Sequence, residues 1–279
     1  MNELWFVVIL CLSSMGAGLL GALSGLGGGV VIVPLLTIVF HVDIRYAIGA
    51  SLVSVIATSS GAAAAYVREG FSNIRVGMFL EIATTMGALF GAWLTTKAPT
   101  DAIGLVFGIV LLYSAYASLK EKHEVISTVP DPKAMALRLK GTLPLGDGQE
   151  QPYVAQRVPV GFGLMWLAGL LSGLLGIGSG AVKVLAMDQA MRLPFKVSTT
   201  TSNFMIGVTA AASAGLYLRS GYLAPGLVMP VMLGVLVGSL VGSKLLVRAH
   251  VRTLKVVFSL LIIGMGLEMV VHSAMGMWR

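Results

Sequence analysis

The chain is 279 residues long, 56% hydrophobic and only 11% charged, with a formal net charge of +7 and a mean hydropathy of +0.90. Soluble domains carry roughly 25% charged residues, so a soluble fold is excluded, and the recurring apolar runs of about 20 residues are too long for outer-membrane strands. The basic residues lie mostly in short loops, where they orient helices rather than bind nucleic acid, and the one cysteine, Cys11, excludes an intrachain disulfide or a cysteine-based metal site.

The composition predicts an all-α polytopic membrane protein. The start, "MNELWFVVIL", lacks a basic n-region and reads as a retained first helix. Apolar spans predict membrane segments at about 4–23, 30–40, 46–67, 76–96 and 102–119. Residues 120–158 carry several prolines and glycines and much of the charge, and read as a polar cytoplasmic linker. Spans resume at about 160–175, 182–191, 197–218, 225–247 and 254–273. Two transmembrane repeats, 1–119 and 159–279, are therefore expected on either side of the linker, with eight to ten membrane segments in all.

The halves match each other at one constant offset. "AGLL" at Ala17 matches Ala168, "GLGGG" at Gly25 matches "GIGSG" at Gly176, "YVREG" at Tyr66 matches "YLRSG" at Tyr217, and "GALFGA" at Gly87 matches "GSLVGS" at Gly238. Four matches in register indicate a duplication. The basic residues of the linker and of the stretch Ser243 to Lys255 mark cytoplasmic sides, and the bias alternates between the halves: Arg68 and Arg75 face Arg219 alone. This points to inverted repeats, each with a glycine-broken first element followed by three transmembrane helices. Parallel repeats of four crossings each are the alternative.

Gly25, Gly27, Gly28 and Gly29 interrupt the first repeat, and Gly176, Gly178 and Gly180 with Ser179 interrupt the second. A short apolar helix follows each cluster. A helix that begins inside the membrane aims unpaired N–H groups and its positive dipole end at whatever precedes it, which suits an anion. Glycines spaced G-x-x-x-G also simply let helices pack.

Lys183 falls in the second short helix, where the first has Ile32. An ammonium in the membrane needs a cavity or a partner, and a bound anion supplies one; a snorkelling lysine is the alternative. Asp188, on the same helix, can pair with Lys183, take a proton or reach the interface near Arg192, and Glu81 is either a proton carrier or a residue near the headgroups. The run "STTTSN", Ser198 to Asn203, exceeds what hydroxyl back-bonding to a helix needs. Ser51 is the counterpart of Ser202. Ser51, Thr201, Ser202 and Asn203 are thus candidate donors to an anion, beside Gly27, Gly28, Gly29, Gly178, Ser179, Gly180 and Lys183. No nucleotide-binding loop occurs, and the four histidines lie at span ends or in the linker without triad or metal spacing, so neither an enzyme nor a metal site nor a cofactor is expected.

These residues, "SGLGGGVVIVPLL" and "GASLVSVIATSSGAAAAYVREG" in the first half and Ser172 to Leu223 in the second, resemble the sulfite exporter TauE/SafE family. The resemblance covers nearly everything outside the linker. It implies a multi-pass protein of the prokaryotic inner membrane that moves sulfite or small sulfur-containing organic anions. Two departures stand out. Ser179 replaces a usual glycine, and Leu185 replaces a usual proline, which leaves the bend of the second short helix in question.

The expected function is secondary transport of sulfite, thiosulfate or an organosulfonate by alternating access, with protons carried by Asp188 or Glu81. The lipid bilayer and the anion are the expected partners, nucleic acid is not, and a homo-oligomer is compatible with the sequence. A channel-like anion pore and a non-transporting scaffold are the rival readings.

Overall fold

The computed structural model describes residues 3–24, 28–68, 72–119, 131–146, 149–246 and 251–276. The first half holds α1 (Glu3–Ser24), α2 (Gly29–Pro34), α3 (Ile44–Arg68), α4 (Ile74–Thr95) and α5 (Thr100–Leu119). The second holds α7 (Val158–Leu175), α8 (Gly180–Leu185), α9 (Phe195–Arg219), α10 (Pro225–Leu246) and α11 (Val251–Ala274). Between them lie α6 (Pro132–Ala136) and an antiparallel hairpin of β1 (Lys140–Gly146) and β2 (Gln149–Val154). Among the described residues, α4 and α7 are long and apolar enough to cross a bilayer.

Helix α4 illustrates how sequence becomes packing. Met78, Ile82, Met86, Phe90 and Trp93 recur every three or four residues and are all more than two-fifths exposed, the face a membrane helix turns to lipid. The opposite face is made of Leu80, Ala83, Thr84, Gly87, Ala88 and Gly91, all buried. Small residues there let α7 approach closely: a side chain at Gly87 would strike the carbonyl of Trp166, and one at Gly169 the carbonyl of Thr84. In lipid, where apolar burial drives little, such backbone contact supplies the attraction.

The same crossing recurs between α1 and α10, where Gly238 and Gly234 face the carbonyls of Met15 and Cys11. Each repeat's first helix therefore packs on the last-but-one helix of the other, while α3 meets α9 and α5 meets α11. The duplication is also visible in local geometry. Both short helices run into one turn of π-helix, Leu35–Val39 and Ala186–Ala190. Both π-turns end on a left-handed residue, His41 at φ 52° and Arg192 at φ 53°. In both, the same wide bond closes the turn, Val42 N–H to the Leu36 carbonyl at 3.0 Å and Leu193 N–H to that of Met187 at 3.0 Å. The second π-turn forms without a proline, so the loss of proline at Leu185 leaves the shape of this segment unchanged.

The linker departs from expectation. It is not merely polar chain: it folds as α6 and the hairpin, so among the described residues the fold is all-α apart from this two-stranded sheet. Asp131 caps α6 by accepting from Lys133 N–H and Ala134 N–H. Leu139, Leu143, Tyr153 and Ala155 are buried together with Val76 and Leu80 of α4, Met187 and Met191 after α8, and Val197 of α9. The strand signal was present as Asp147-Gly148 between two short apolar stretches, a hairpin dipeptide hidden among prolines and glycines that read as loop.

Asn73 ties the hairpin down. Its side-chain oxygen caps α4 by accepting from Val76 N–H at 3.1 Å, and its amide nitrogen donates to the Tyr153 hydroxyl at 2.9 Å and the Lys140 carbonyl at 3.3 Å. Burial pushes the Tyr153 phenol up from its ordinary value, against the opposing effect of the Asn73 bond, so it stays neutral through the physiological range. Asn73→Ala removes a helix cap and two bonds to the hairpin. It should lower unfolding stability by about 1–2 kcal/mol and speed proteolysis of residues 140–154, read by thermal unfolding in detergent and limited digestion. Unchanged digestion would show that the hairpin is held by its apolar underside alone.

Candidate functional site

Loop backbone between α7 and α8 needs left-handed conformations at three positions: Gly176 at φ 68°, Gly178 at φ 69° and Ser179 at φ 45°. Glycine takes these without steric penalty; serine does not. Ser179 is anchored there by donating its hydroxyl to the Ala168 carbonyl of α7 at 2.6 Å. Its departure from glycine thus adds a tie between the break and α7.

The two glycine breaks meet. A side chain on Gly29 would fall 2.7 Å from the Ser51 hydroxyl and 2.9 Å from the Gly176 carbonyl. Ser51, on α3, donates to that same carbonyl at 2.7 Å, and its counterpart Ser202, on α9, donates to the Gly180 carbonyl at 3.3 Å. Gly28 is buried and precedes α2, whereas Gly25 and Gly27 lie outside the described residues. Thr201 accepts from the backbone N–H of Asn73 at 3.0 Å, linking α9 to the start of α4, and Asn203 is half-buried. In this conformation the Ser51, Ser179 and Ser202 hydroxyls are thus donated to carbonyls.

The charges lie close by. Lys183 is fully buried and Glu81 is 6% exposed. Lys183 Nζ donates to Thr209 Oγ1 at 2.6 Å, and Thr209 Oγ1 is 2.7 Å from Glu81 Oε1. Thr85 donates to the same carboxylate oxygen at 3.1 Å. The other, Glu81 Oε2, is buried without a partner. Asp188, in the π-turn, is also buried, at 7% exposure.

One ammonium from the second half and one carboxylate from the first are therefore bridged by a hydroxyl at the crossing of α4, α8 and α9. The sequence exposed both charges but not Thr209, nor Asn73 and Tyr153. Thr209 lies seven residues after Ser202, two turns on along the same face, which is the signal that marks it. Among the described residues, no group of His, Cys, Asp and Glu could hold a metal ion.

Duplicated halves, broken helices that meet in the bundle and a buried charge pair beside them are the features of a multi-pass membrane transporter rather than an enzyme. The chain belongs to the sulfite exporter TauE/SafE family, whose model matches residues 10–269. It is 28% identical to the Probable membrane transporter protein YunE of Bacillus subtilis over 94% of this chain and 97% of that protein. It is also 28% identical to YdhB of the same organism, over 81% and 85% of the two chains. A probable membrane transporter protein of Methanocaldococcus jannaschii is 25% identical over 90% and 91%. No solved structure matches the chain.

Proposed function

We propose that this protein is a secondary carrier for a small sulfur oxyanion or organosulfonate, with sulfite the foremost substrate, and that it moves the anion together with a proton. The observation that carries the reading is the buried Lys183–Thr209–Glu81 link. The name of the matched family supports sulfite.

Charge arithmetic explains the coupling. With Glu81 ionised, the Lys183–Glu81 pair is neutral. A monovalent anion arriving at Lys183 makes the site negative, and a proton on Glu81 restores neutrality. In a low-dielectric interior an unbalanced charge is strongly unfavourable, so anion and proton load and leave together. Asp188, buried five residues beyond Lys183 on the same segment, is the second carboxylate in reach of this chemistry.

Access to the site alternates as the two repeats, inverted in the membrane, rock around it. On opening, the Ser51, Ser179 and Ser202 hydroxyls exchange their carbonyl acceptors for the anion, and the backbone at Gly28, Gly29, Gly178 and Gly180 gives it room. Thr201 and Asn203 line the same stretch of α9.

The test is exchange of labelled sulfite in liposomes containing the pure protein, against a panel of sulfate, thiosulfate, sulfoacetate and isethionate. A carrier shows saturable uptake that is stimulated by unlabelled anion on the far side. Uptake without such stimulation would identify a pore, and folded protein that moves none of the panel would overturn the reading.

A further inference from the structure

The duplication offers an internal comparison. Glu81 lies six residues before Gly87, so its counterpart, six before Gly238, is Met232; Thr209 lies seven after Ser202, so its counterpart is Thr58; and the counterpart of Lys183 is Ile32. The first repeat therefore keeps the threonine and lacks both charges. Thr58 donates back to its own helix, to the Ser54 carbonyl at 3.1 Å and the Val55 carbonyl at 3.2 Å. Thr209 has the equivalent back-bond, to the Met205 carbonyl at 2.8 Å, and two charged partners besides. A helical threonine needs only the back-bond. The additional contacts are specific to the second repeat.

A hydroxyl has one hydrogen and two acceptor lone pairs, and at Thr209 three groups lie within 2.8 Å of it. Lys183 always donates. When Glu81 is ionised, the Thr209 hydrogen points to Glu81 Oε1. When Glu81 carries a proton, the carboxylic acid donates to Thr209 Oγ1, whose own hydrogen turns to the Met205 carbonyl. The first arrangement uses the hydrogen and one lone pair and the second uses the hydrogen and both lone pairs; passing from one to the other takes a proton onto Glu81 and a rotation about the Thr209 Cβ–Oγ1 bond.

We infer that Thr209 is the coupling residue of the carrier: its hydroxyl reports the protonation of Glu81 to Lys183, and each chain has one such coupled site, in the second repeat. The inference rests on the anion–proton reading above. In the ionised arrangement the Glu81 charge acts through the hydroxyl as the counter-ion of Lys183. In the protonated arrangement that counter-charge is gone, and the ammonium takes the substrate anion instead. Thr209 positions and relays; it need not touch the anion.

The groups that could interfere are few. Helix α7, packed along α4, has no titratable residue; α9 has Lys196, Tyr217 and Arg219 towards its ends; α4 itself has Arg75 in its first turn; and the α8 segment has Lys183 and Asp188. The partnerless Glu81 Oε2, in a side chain more than nine-tenths buried, marks the place for the transported proton.

Thr209→Val keeps the shape and removes the hydroxyl, and Thr209→Ser keeps the hydroxyl. Both are compared with the unaltered protein in liposomes, after gel filtration confirms folding, with Thr209→Ala as a second hydroxyl-free variant. Two readings are taken: sulfite exchange at equal pH on both sides, and sulfite accumulation driven by an imposed pH gradient. Thr209→Val should lower accumulation relative to exchange by about tenfold, the size of a typical coupling between sites. Thr209→Ser should retain both. Accumulation by the valine and alanine variants equal to that of the unaltered protein would overturn the inference, as would loss of exchange together with accumulation, which would make Thr209 a binding or structural residue. Absence of exchange in the unaltered protein would instead overturn the transport reading itself.

Discussion

Replacing Lys183 with methionine should abolish sulfite exchange, by about a hundredfold or more, while leaving a folded protein. The ammonium is fully buried and has a hydroxyl, not a carboxylate, as its direct partner. Charged groups at such depth are retained for function because their insertion alone is unfavourable by about 2.5–3.5 kcal/mol. Removing the buried partner of a charge typically loses about 3–5 kcal/mol, which corresponds to a few hundredfold or more in anion affinity. The single change also leaves the buried Glu81 carboxylate without its counter-charge, so thermal stability should fall. Adding Glu81→Gln to Lys183→Met should restore stability at neutral pH but not exchange. This separation is the check: a Lys183 that only balanced Glu81 would regain transport in the double variant as well.

Gly169→Leu should prevent α4 and α7 from meeting and reduce stability by about 3 kcal/mol or more. The new side chain would collide with the Thr84 carbonyl, which is backbone and has no rotamer to give way. Gly238→Leu, against the Met15 carbonyl at the equivalent α1–α10 crossing, should do the same. Gly163, also on α7, has nothing within 4 Å of where a side chain would begin, so Gly163→Ala should be tolerated and even favour the helix. Gel-filtration profiles after a heating series give the comparison. Equal stability of Gly169→Leu and Gly163→Ala would show that the crossing depends on something other than backbone contact.

The helices were readable in the sequence because bilayer thickness imposes long apolar spans, and the structure places each within a few residues of its expected bounds. The break before Gly180 was readable because glycine and left-handed backbone go together. What could not be read was pairing across the halves. Lys183 and Glu81 are each conspicuous, but only the packing of α9 between their helices brings Thr209 to both. The serines show the same limit. Their alignment at one offset revealed Ser51 and Ser202 as equivalent, yet Ser51 reaches across to the Gly176 carbonyl of the other repeat while Ser202 bonds the Gly180 carbonyl of its own. The hairpin was lost for a different reason: its strands are short, and their apolar residues, Leu143 and Tyr153, are too few to form a period.

The most direct measurement is accumulation of labelled sulfite, above that of protein-free vesicles, under an imposed pH gradient, by the unaltered protein and by Glu81→Gln. If anion and proton load together at Lys183 and Glu81, the unaltered protein concentrates sulfite on the side the gradient dictates, and Glu81→Gln only equilibrates it. Equal accumulation by both would contradict the account, because the proton would then travel by a path that does not include Glu81.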